Sequence, residues 1–280
     1  MPTEFADMSI EAPFHKIKLA IVGKEKAGKS RLAATGRKNV LFLDFDNRRE
    51  SVAGIPGVYA ISFRDNQWPN QPSVYNETLD LLTQMEQSAL KNEGRVFLRD
   101  LGFSPTPNVA PTADATVGTI VCDSTQSFAK SVMSYALYTN KDIRYEVSLG
   151  QIKIHSPKSF TAWNSEMSMV EQALLRMFAL PCDVIWTFHE SPEEAPGSTE
   201  ESPQYTGRIE VFPVRYKRLI KYFNDCWHVE RDSAAPPRVT TVPTFAFTAA
   251  TVLNIDPVEQ PDISAIIAKH ISRNGTGAAK

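Results

Sequence analysis

The stretch IKLAIVGKEKAGKS, from Ile17 to Ser30, decides the fold of this chain. It begins with a short apolar run that ends at Gly23, a pattern that predicts a β-strand buried on both faces. Gly23, Gly28, Lys29 and Ser30 complete the motif G-x-x-x-x-G-K-S/T, and the following SRLAAT predicts the start of a helix. A strand, this loop and a helix in succession predict a phosphate-binding loop, in which backbone N–H groups surround the phosphates of a nucleotide.

The residue types of the loop indicate how a nucleotide would be held. We expect the Lys29 ammonium group to reach the β- and γ-phosphates and the Ser30 hydroxyl to bind Mg²⁺. ATP and Mg²⁺ are therefore the predicted cofactors, and Lys29 is also a predicted catalytic residue. The predicted nucleotide-binding set is Gly23, Ala27, Gly28, Lys29, Ser30 and Arg31.

Further apolar runs alternate with helical patterns along the chain. NVLFLDFD (39–46), GVYAISF (57–63), VGTIVCDS (117–124) and CDVIWTFHE (182–190) each predict a buried strand. Strands that alternate with helices predict an α/β fold with a mostly parallel sheet and helices on both faces. The later strands are accompanied by fewer helices, which predicts an antiparallel extension of that sheet.

The predicted organisation is one core with short additions at its ends. We expect an N-terminal arm (1–16), a core (17–250), and a C-terminal helix followed by a flexible tail (251–280). Within the core, the segments 139–162 and 190–207 predict irregular loops, because neither shows a sustained apolar period.

Composition limits the classes to which the protein can belong. The chain has 280 residues, of which 42% are hydrophobic, and a net charge of −2, so a nucleic-acid site has to be a local basic patch. Its cysteines, Cys122, Cys182 and Cys226, are odd in number and widely spaced, which argues against a disulfide framework and a zinc site. No apolar run approaches the roughly 18 residues of a membrane span, and no signal pattern opens the chain. We therefore expect a soluble, cytoplasmic protein that does not act at a membrane.

Polar residues close several of the predicted strands, at the sheet edge where ligands of open α/β sheets bind. Asp123 ends one strand, and we expect it to hold the metal with Ser30; the alternative is that it caps the next helix. Asp46 lies nearer the end of its strand than Asp44 and is the predicted base that orients the attacking water, whereas Asp44 would be a structural carboxylate. His189 would sense the γ-phosphate, or it is a structural histidine.

Four elements in this order, GKEKAGKS, LFLDFD, TIVCDS and VIWTFHE, resemble the RecA-type ATPase core. The resemblance places Asp46 where that family carries its catalytic base, usually a glutamate, and the shorter aspartate predicts slow hydrolysis. It places Asp123 and Ser124 at the Walker B position, and His189 where the family usually carries a glutamine that senses the γ-phosphate.

Within that family, the histidine–glutamate pair at 189–190 and the run VRYKRLIKYFNDCWHVERD are most similar to phage-encoded RecA-like single-strand annealing proteins. The resemblance covers Ile17 to Asp232. It implies an ATPase that binds single-stranded DNA and promotes annealing or recombination in phage DNA metabolism, in the cytoplasm of a bacterial host.

RecA-like proteins bind single strands through two loops, and the resemblance therefore implies contacts at 139–162 and 190–207. The first segment combines basic and aromatic residues, which suits phosphates and stacked bases, whereas the second has five glutamates and no basic residue. The acidic segment would be a shield, a partner site or a hinge. The alternative is that both segments are solvated surface. The predicted DNA-binding residues are Arg144, Lys153 and Lys158.

RecA-type ATPases work between subunits, so the resemblance also implies a homo-oligomer, either a ring or a filament. A cation from one subunit would reach the γ-phosphate of its neighbour. The candidates lie on VRYKRLIKYF, which predicts a short basic helix, and a solvated helix face is the alternative for each of them. They are Arg215, Lys217 and Arg218. A single-strand-binding protein is a further expected partner.

Other interpretations of the loop stay open. Lys24 lies five residues before Lys29, where partitioning ATPases of the ParA and MinD type carry a second signature lysine, although their paired glycines are missing here. Such a protein would be an ATP-switched dimer. A non-hydrolysing, nucleotide-dependent scaffold or helicase-loading factor is another alternative. A small-molecule kinase fits less well, because the chain lacks an arginine-rich lid pattern.

Overall fold

The structure of this chain is a computed structural model, and it describes residues 16–64, 72–102, 115–139, 145–148, 151–154, 159–194, 205–210, 219–231, 237–243 and 249–275. The strands are β1 (Lys18–Gly23), β2 (Val40–Asp44), β3 (Val58–Ser62), β4 (Thr119–Asp123), β5 (Tyr145–Ser148), β6 (Gln151–Ile154), β7 (Asp183–His189), β8 (Ser191–Glu194), β9 (Tyr205–Glu210), β10 (Asp225–Glu230), β11 (Arg238–Thr240) and β12 (Val258–Glu259). The helices are α1 (Lys29–Ala33), α2 (Val74–Lys91), α3 (Thr125–Thr139), α4 (Ser159–Ala179) and α5 (Ile263–Gly275).

Eight strands form one mixed sheet in the order β12-β11-β10-β1-β7-β4-β2-β3. The six strands from β10 to β3 are parallel to one another, whereas β11 and β12 join the sheet in antiparallel orientation. The prediction of an α/β fold with a mostly parallel sheet is thus confirmed. Tertiary pairing also inserts β7, a late strand in the sequence, between β1 and β4.

Helices cover both faces of the sheet, as predicted. On one face, Ala20 and Val22 of β1 belong to a buried cluster with residues of α2, α3 and α4. On the other face, Leu19 and Ile21 belong to a second cluster with residues of α1 and α5. Because β1 has neighbours on both sides and helices above and below, it reads as a continuous apolar run rather than an alternating one.

The segment 139–162, predicted to be irregular, contains regular structure instead. Strands β5 and β6 pair in antiparallel orientation, with Tyr145 opposite Ile154 and Val147 opposite Ile152. These four apolar residues alternate with polar ones, which is the period of a strand, but the run is too short to stand out beside the longer apolar runs. Helix α4 then begins at Ser159, inside the segment.

The described residues beyond 250, which are 251–275, pack against the same sheet. Strand β12 extends the sheet through β11, and Ile263, Ile266 and Ile267 of α5 are buried in the second cluster. The backbone N–H of Ile263 donates a hydrogen bond of 2.8 Å to the Thr35 hydroxyl, which ties the start of α5 to the end of the α1 turn. No helix in the described ranges is long and apolar enough to cross a membrane. Residues 1–15 of the predicted arm and 276–280 of the predicted tail lie outside those ranges.

Candidate nucleotide-binding and hydrolysis site

Parallel pairing brings the ends of four strands to one edge of the sheet. Gly23 of β1 lies opposite His189 of β7, and Asp44 of β2 lies opposite Asp123 of β4. The residues that the sequence predicts for nucleotide chemistry follow or end these strands. They therefore share the carboxyl edge, where ligands of open α/β sheets bind.

The phosphate-binding loop has glycine at two positions that exclude a side chain. A Cβ atom on Gly23 would lie 2.3 Å from the backbone oxygen of Val229 on the adjacent strand β10, so β1 and β10 could not approach as they do. Gly28 has a φ of 102°, in the left-handed region that favours glycine. Sterics thus account for both glycines, and the turn at Gly28 leads directly into α1.

Lys29 is buried, with 6% of its surface exposed. Its ammonium group donates hydrogen bonds to the carbonyls of Gly23 at 2.8 Å and Lys24 at 2.7 Å, and it lies 3.2 Å from Nδ1 of His189. Burial lowers the pKa of Lys29 to about 8, and nearby carboxylates, first Asp123, offset part of that effect. The lysine is held inside the loop, at the position from which it would meet a phosphate.

Three hydrogen-bonded side chains, those of Ser30, Asp123 and Thr187, join α1, β4 and β7 at the site. The Ser30 hydroxyl donates to Oδ2 of Asp123 at 2.7 Å, and the Thr187 hydroxyl donates to Oδ1 at 2.5 Å. Burial raises the pKa of Asp123, while these two hydrogen bonds act in the opposite direction. One hydroxyl and one carboxylate oxygen suit Mg²⁺, which takes one or two protein ligands and completes its shell with water and phosphate oxygens.

Asp44, at the end of β2, and Asp46, two residues past it, have different surroundings. Asp44 is buried; it accepts hydrogen bonds from the Ser62 hydroxyl at 2.9 Å and from the backbone N–H of Arg48 at 3.1 Å. Asp46 lies two residues past the strand and accepts hydrogen bonds from the hydroxyls of Ser124, at 3.1 Å, and Ser127. Asp44 therefore holds the exit of β2 in place, and Asp46 is the acid that reaches the pocket.

His189 lies at the end of β7, between the phosphate-binding loop and Asp123. Burial lowers its pKa, and the positive charge of Lys29 lowers it further, so the imidazole is neutral near pH 7. Its backbone carbonyl accepts a hydrogen bond of 3.1 Å from the Gln126 side chain of α3. The histidine thus contacts the lysine of the loop and, through its backbone, the helix that follows Asp123.

Glu190 was expected to belong to an acidic loop, and its side chain corrects that expectation. It is only 5% exposed, and its Oε2 lies 2.7 Å from Nε2 of His228 on β10. The contact with His228 holds the carboxylate against the sheet. The run of glutamates in the sequence had predicted that this side chain faces solvent. Beyond it, 191–194 and 205–210 form the hairpin of β8 and β9, and 195–204 lies outside the described residues.

These groups border one open pocket of about 820 Å³. Gly28, Lys29, Ser30, Asp46, Asp123 and His189 all line it. In the described part of the chain, no cluster of three or more His, Cys, Asp or Glu residues could enclose a metal ion by itself. A metal at this site would thus depend on Ser30, Asp123 and the phosphates of a bound nucleotide.

The comparison with protein families agrees with this geometry. Residues 15–226 match a family model described as an AAA domain. The chain belongs to this AAA domain family. Membership indicates a P-loop NTPase-type domain. Such a domain binds nucleotide, typically with Mg²⁺, and membership indicates ATPase activity without specifying what the activity serves. A search of curated proteins gave no match.

The pocket of this AAA domain also contains residues that the sequence did not single out. Arg48 and Glu50 follow β2, Ser51 and Ala53 come after them, and Arg231 follows β10. Two arginines at a nucleotide pocket suit phosphate oxygens. Arg48 could have been predicted from the polar run DNRRE, which follows a strand that ends at the ligand edge of the sheet. No local sequence pattern predicts that Arg231 lies at the pocket.

Of the predicted DNA-binding residues and the predicted trans-acting cations, the structure describes one, Lys153. Lys153 lies on β6, opposite Glu146 of β5 in the hairpin. The other residues of these two predictions, Arg144, Lys158, Arg215, Lys217 and Arg218, lie outside the described residues. Of the short basic helix predicted over 214–223, the structure describes 219–223, where 219–222 form a single 3₁₀ turn.

Proposed function

We propose that this AAA domain protein is a RecA-like, Mg²⁺-dependent ATPase that binds single-stranded DNA and promotes annealing or recombination in phage DNA metabolism. The observation that carries the proposal is the meeting of Lys29, Asp46, Asp123 and His189 at one pocket, each from a different parallel strand or its exit. A bare nucleotide-binding domain needs the loop and Asp123. Asp46 and His189 beside the same pocket add an acid that could orient the attacking water and a polar group that could contact the γ-phosphate.

Each of the four side chains has a separate role in the proposed reaction. Lys29 would contact the γ-phosphate and stabilise the charge that builds on it during transfer. Ser30 and Asp123 would hold Mg²⁺, which neutralises phosphate charge when it is bound. Asp46 would orient the attacking water and accept its proton.

The neutral imidazole of His189 would contact the γ-phosphate and register its loss. The contact between His189 and Lys29 supports this role, because a group beside the phosphate-binding lysine also lies beside the terminal phosphate. Strand β7 continues after Glu190 into the β8–β9 hairpin, so a shift at His189 could move that hairpin.

The DNA part of the proposal is supported by position and charge. The basic segment that contains Lys153 follows α3, and α3 begins two residues after Asp123. The segment is thus connected to the nucleotide site by one helix of 15 residues. Lysines and arginines beside aromatic residues offer phosphate contacts and base stacking without sequence preference.

The test is ATP hydrolysis with and without single-stranded DNA. We expect DNA to stimulate hydrolysis, Lys29→Ala to abolish the stimulated rate, and Asp46→Ala to lower it by about 100-fold or more. Lys153→Glu with Lys158→Glu should weaken DNA binding and reduce its salt dependence, because fewer counterions are released. The matched control is Lys91→Glu with Lys130→Glu, two exposed lysines outside the segment. Unchanged DNA binding in the first pair would refute the assignment of the loop.

The proposed assembly is a ring or filament in the cytoplasm of the bacterial host, with Arg215, Lys217 or Arg218 reaching the γ-phosphate of a neighbouring subunit. A single-strand-binding protein would be a partner at the same DNA. The arrangement is tested by mixing subunits that carry Lys29→Ala with subunits that carry Arg215→Ala, Lys217→Ala and Arg218→Ala together. At a mixed interface, the cations of the first subunit would meet the intact phosphate-binding loop of the second and restore a complete site. Failure to recover any activity, with both variants still assembling, would contradict it.

An ATP-switched dimer is the second candidate, and Lys24 is the observation that favours it. Its side chain is 77% exposed at the edge of the phosphate-binding loop, with its ammonium group 4.0 Å from Glu190. An exposed lysine at this position could reach a nucleotide in a second subunit. Gel filtration with ATP separates the two: a dimer that Lys24→Ala abolishes and Lys26→Ala retains would favour the switch, whereas larger assemblies favour the ring or filament.

A further inference from the structure

The carboxylate of Asp46 is held by one turn of a neighbouring helix. The hydroxyls of Ser124, at 3.1 Å, and Ser127 both donate hydrogen bonds to the same oxygen, Oδ1. Ser124 is 1% exposed and directly follows Asp123, while Ser127 lies in the first turn of α3. From the described part of the chain, Oδ2 receives no hydrogen bond, so one oxygen is fixed and the other remains for a water in the pocket.

Aromatic packing keeps the exit of β2 against this turn. Phe45, which precedes Asp46, stacks on Phe63 and also packs on Phe128 of α3, with ring centroids 4.8 Å apart in both pairs. Its backbone N–H donates a hydrogen bond of 2.7 Å to the carbonyl of Asp123. Because Phe128 adjoins Ser127, the packing fixes the distance between the Ser127 hydroxyl and the Asp46 carboxylate.

The same turn contacts the other strand of the site. The Thr125 hydroxyl donates to the carbonyl of Thr187 at 2.8 Å, and the Gln126 amide donates to the carbonyl of His189 at 3.1 Å. Four consecutive residues from Ser124 to Ser127 therefore bond to groups on β7 and on the exit of β2. A turn that is hydrogen-bonded on both sides is suited to set the position of a catalytic group between them.

We propose that Ser127, assisted by Ser124, is a positioning residue for Asp46. It fixes Oδ1 so that Oδ2 meets the attacking water at the γ-phosphate. Aspartate is one methylene shorter than glutamate, so the carboxylate reaches the water only from a narrow range of positions. Misplacement of a reacting group by about 1 Å costs roughly 100-fold in rate. This inference rests on the proposed role of Asp46 as the base.

The direct test is Ser127→Ala, studied by single-turnover ATP hydrolysis together with ATP binding. We expect hydrolysis to slow about tenfold while the Kd for ATP stays within about twofold, because Ser127 touches neither the phosphate-binding loop nor the metal position. Ser127→Thr, which retains the hydroxyl, should restore most of the rate. Ser131→Ala, the same change one turn further along α3, is the matched control and should hydrolyse normally.

A double-mutant cycle with Asp46→Ala shows whether Ser127 acts through Asp46. The double variant should be no slower than Asp46→Ala alone, which itself should lose about 100-fold or more. Additive losses in the double variant would overturn the inference. Full activity of Ser127→Ala beside an inactive Asp46→Ala would also overturn it, but the proposed function would stand. A fully active Asp46→Ala would overturn the role of Asp46 and the inference with it. If Ser127→Ala does not fold, Ser127→Cys, of similar size and a much weaker donor, replaces it in the same cycle.

Discussion

The ammonium group of Lys29 lies 3.2 Å from Nδ1 of His189 in this protein, so the phosphate-binding lysine and the candidate γ-phosphate sensor share one hydrogen bond. Lys29 begins α1, after the loop that follows β1, and His189 ends the neighbouring strand β7; the ends of the two strands are paired, with Gly23 opposite His189. Burial lowers the pKa of each, and the charge of Lys29 lowers that of His189 further. A bound phosphate favours the charged form of Lys29, so we expect phosphate binding to change the protonation equilibria of this pair.

We predict that ATP affinity falls as the pH rises through about 8. In the free protein the pKa of Lys29 is lowered from 10.5 to about 8 by burial. Bound phosphates favour the charged ammonium and raise that pKa. Below about pH 8, Lys29 is charged with and without ATP, so the affinity does not depend on its titration. Above about pH 8, ATP binding takes up a proton, and the affinity falls by at most about tenfold per pH unit. Calorimetry in buffers of different ionisation enthalpy measures the uptake directly.

The same measurement on Lys29→Arg and Lys26→Ala serves as its control. Arginine stays charged throughout, so any binding that it retains should take up no proton. Lys26→Ala, in the same loop, should behave like the native protein. Equal proton uptake by the native protein at about pH 7 and about pH 9 would contradict the assignment to Lys29.

We predict that His189→Ala slows hydrolysis about tenfold and that His189→Gln retains most of the rate. The imidazole is neutral because its pKa is lowered, so a neutral amide with a donor and an acceptor can replace it. Steady-state ATPase assays measure both variants. His270→Ala, remote on α5, is the control. Equal losses in the alanine and glutamine variants would argue against a hydrogen-bonding role.

We predict that Thr187→Val raises the Mg²⁺ concentration needed for half-maximal ATPase activity several-fold. The change removes the hydrogen bond of 2.5 Å to Asp123 with little change in volume. That hydrogen bond opposes the rise of the Asp123 pKa caused by burial, so its loss favours the protonated acid, which binds Mg²⁺ poorly. The effect should be larger at low pH, where protonation competes most strongly.

A Mg²⁺ titration of ATPase activity at two pH values checks this prediction. Thr187→Ser, which keeps the hydroxyl, should need nearly native Mg²⁺ concentrations. An unchanged requirement in Thr187→Val, in a protein that still unfolds cooperatively, would show that Thr187 only supports packing.

We predict that Arg48→Ala and Arg231→Ala each raise the KM for ATP several-fold. Both arginines line the pocket and are exposed, so they can reach phosphate oxygens of a bound nucleotide. The matched control is Arg49→Ala, since Arg49 adjoins Arg48 but does not line the pocket. Kinetic assays at varied ATP concentration separate KM from kcat; equal effects of Arg48→Ala and Arg49→Ala would indicate a general charge effect.

We predict that Asp183→Ala destabilises the fold by about 2–3 kcal/mol without changing the KM for ATP. Asp183 is 3% exposed at the start of β7, where it accepts a hydrogen bond of 2.9 Å from the backbone N–H of Ile17 and pairs with Arg37. Its loss leaves the Arg37 guanidinium without that carboxylate. Denaturant unfolding measures the change, and a selective rise in KM would contradict a purely structural role, because this edge is opposite the nucleotide site.

The local elements of the site were predictable because each is continuous in sequence. The strand, loop and α1 around Gly28 and Lys29 follow from one motif, and apolar runs mark the strands that end near Asp46, Asp123 and His189. The α/β class follows from their alternation with helices. The hairpin of β5 and β6 was missed because short alternating runs carry a weaker signal than long apolar ones.

Residues whose role depends on a distant partner could not be predicted in this way. The burial of Glu190 depends on His228, which lies 38 residues further along the chain and on another strand. Arg231 reaches the pocket only because β10 pairs with β1. Neither residue has a local pattern that distinguishes it from solvated charge.

The sequence by itself determined the phosphate-binding loop and the alternation of strands and helices, because these depend on steric and hydrophobic rules that act over a few neighbouring residues. Only the tertiary structure decided the strand order, in which β7 lies between β1 and β4 and so places His189 beside Lys29. It also decided that Ser124 and Ser127 hold Asp46. Such contacts join groups far apart in the chain, and they form only when a shared core fixes the distance between their backbones.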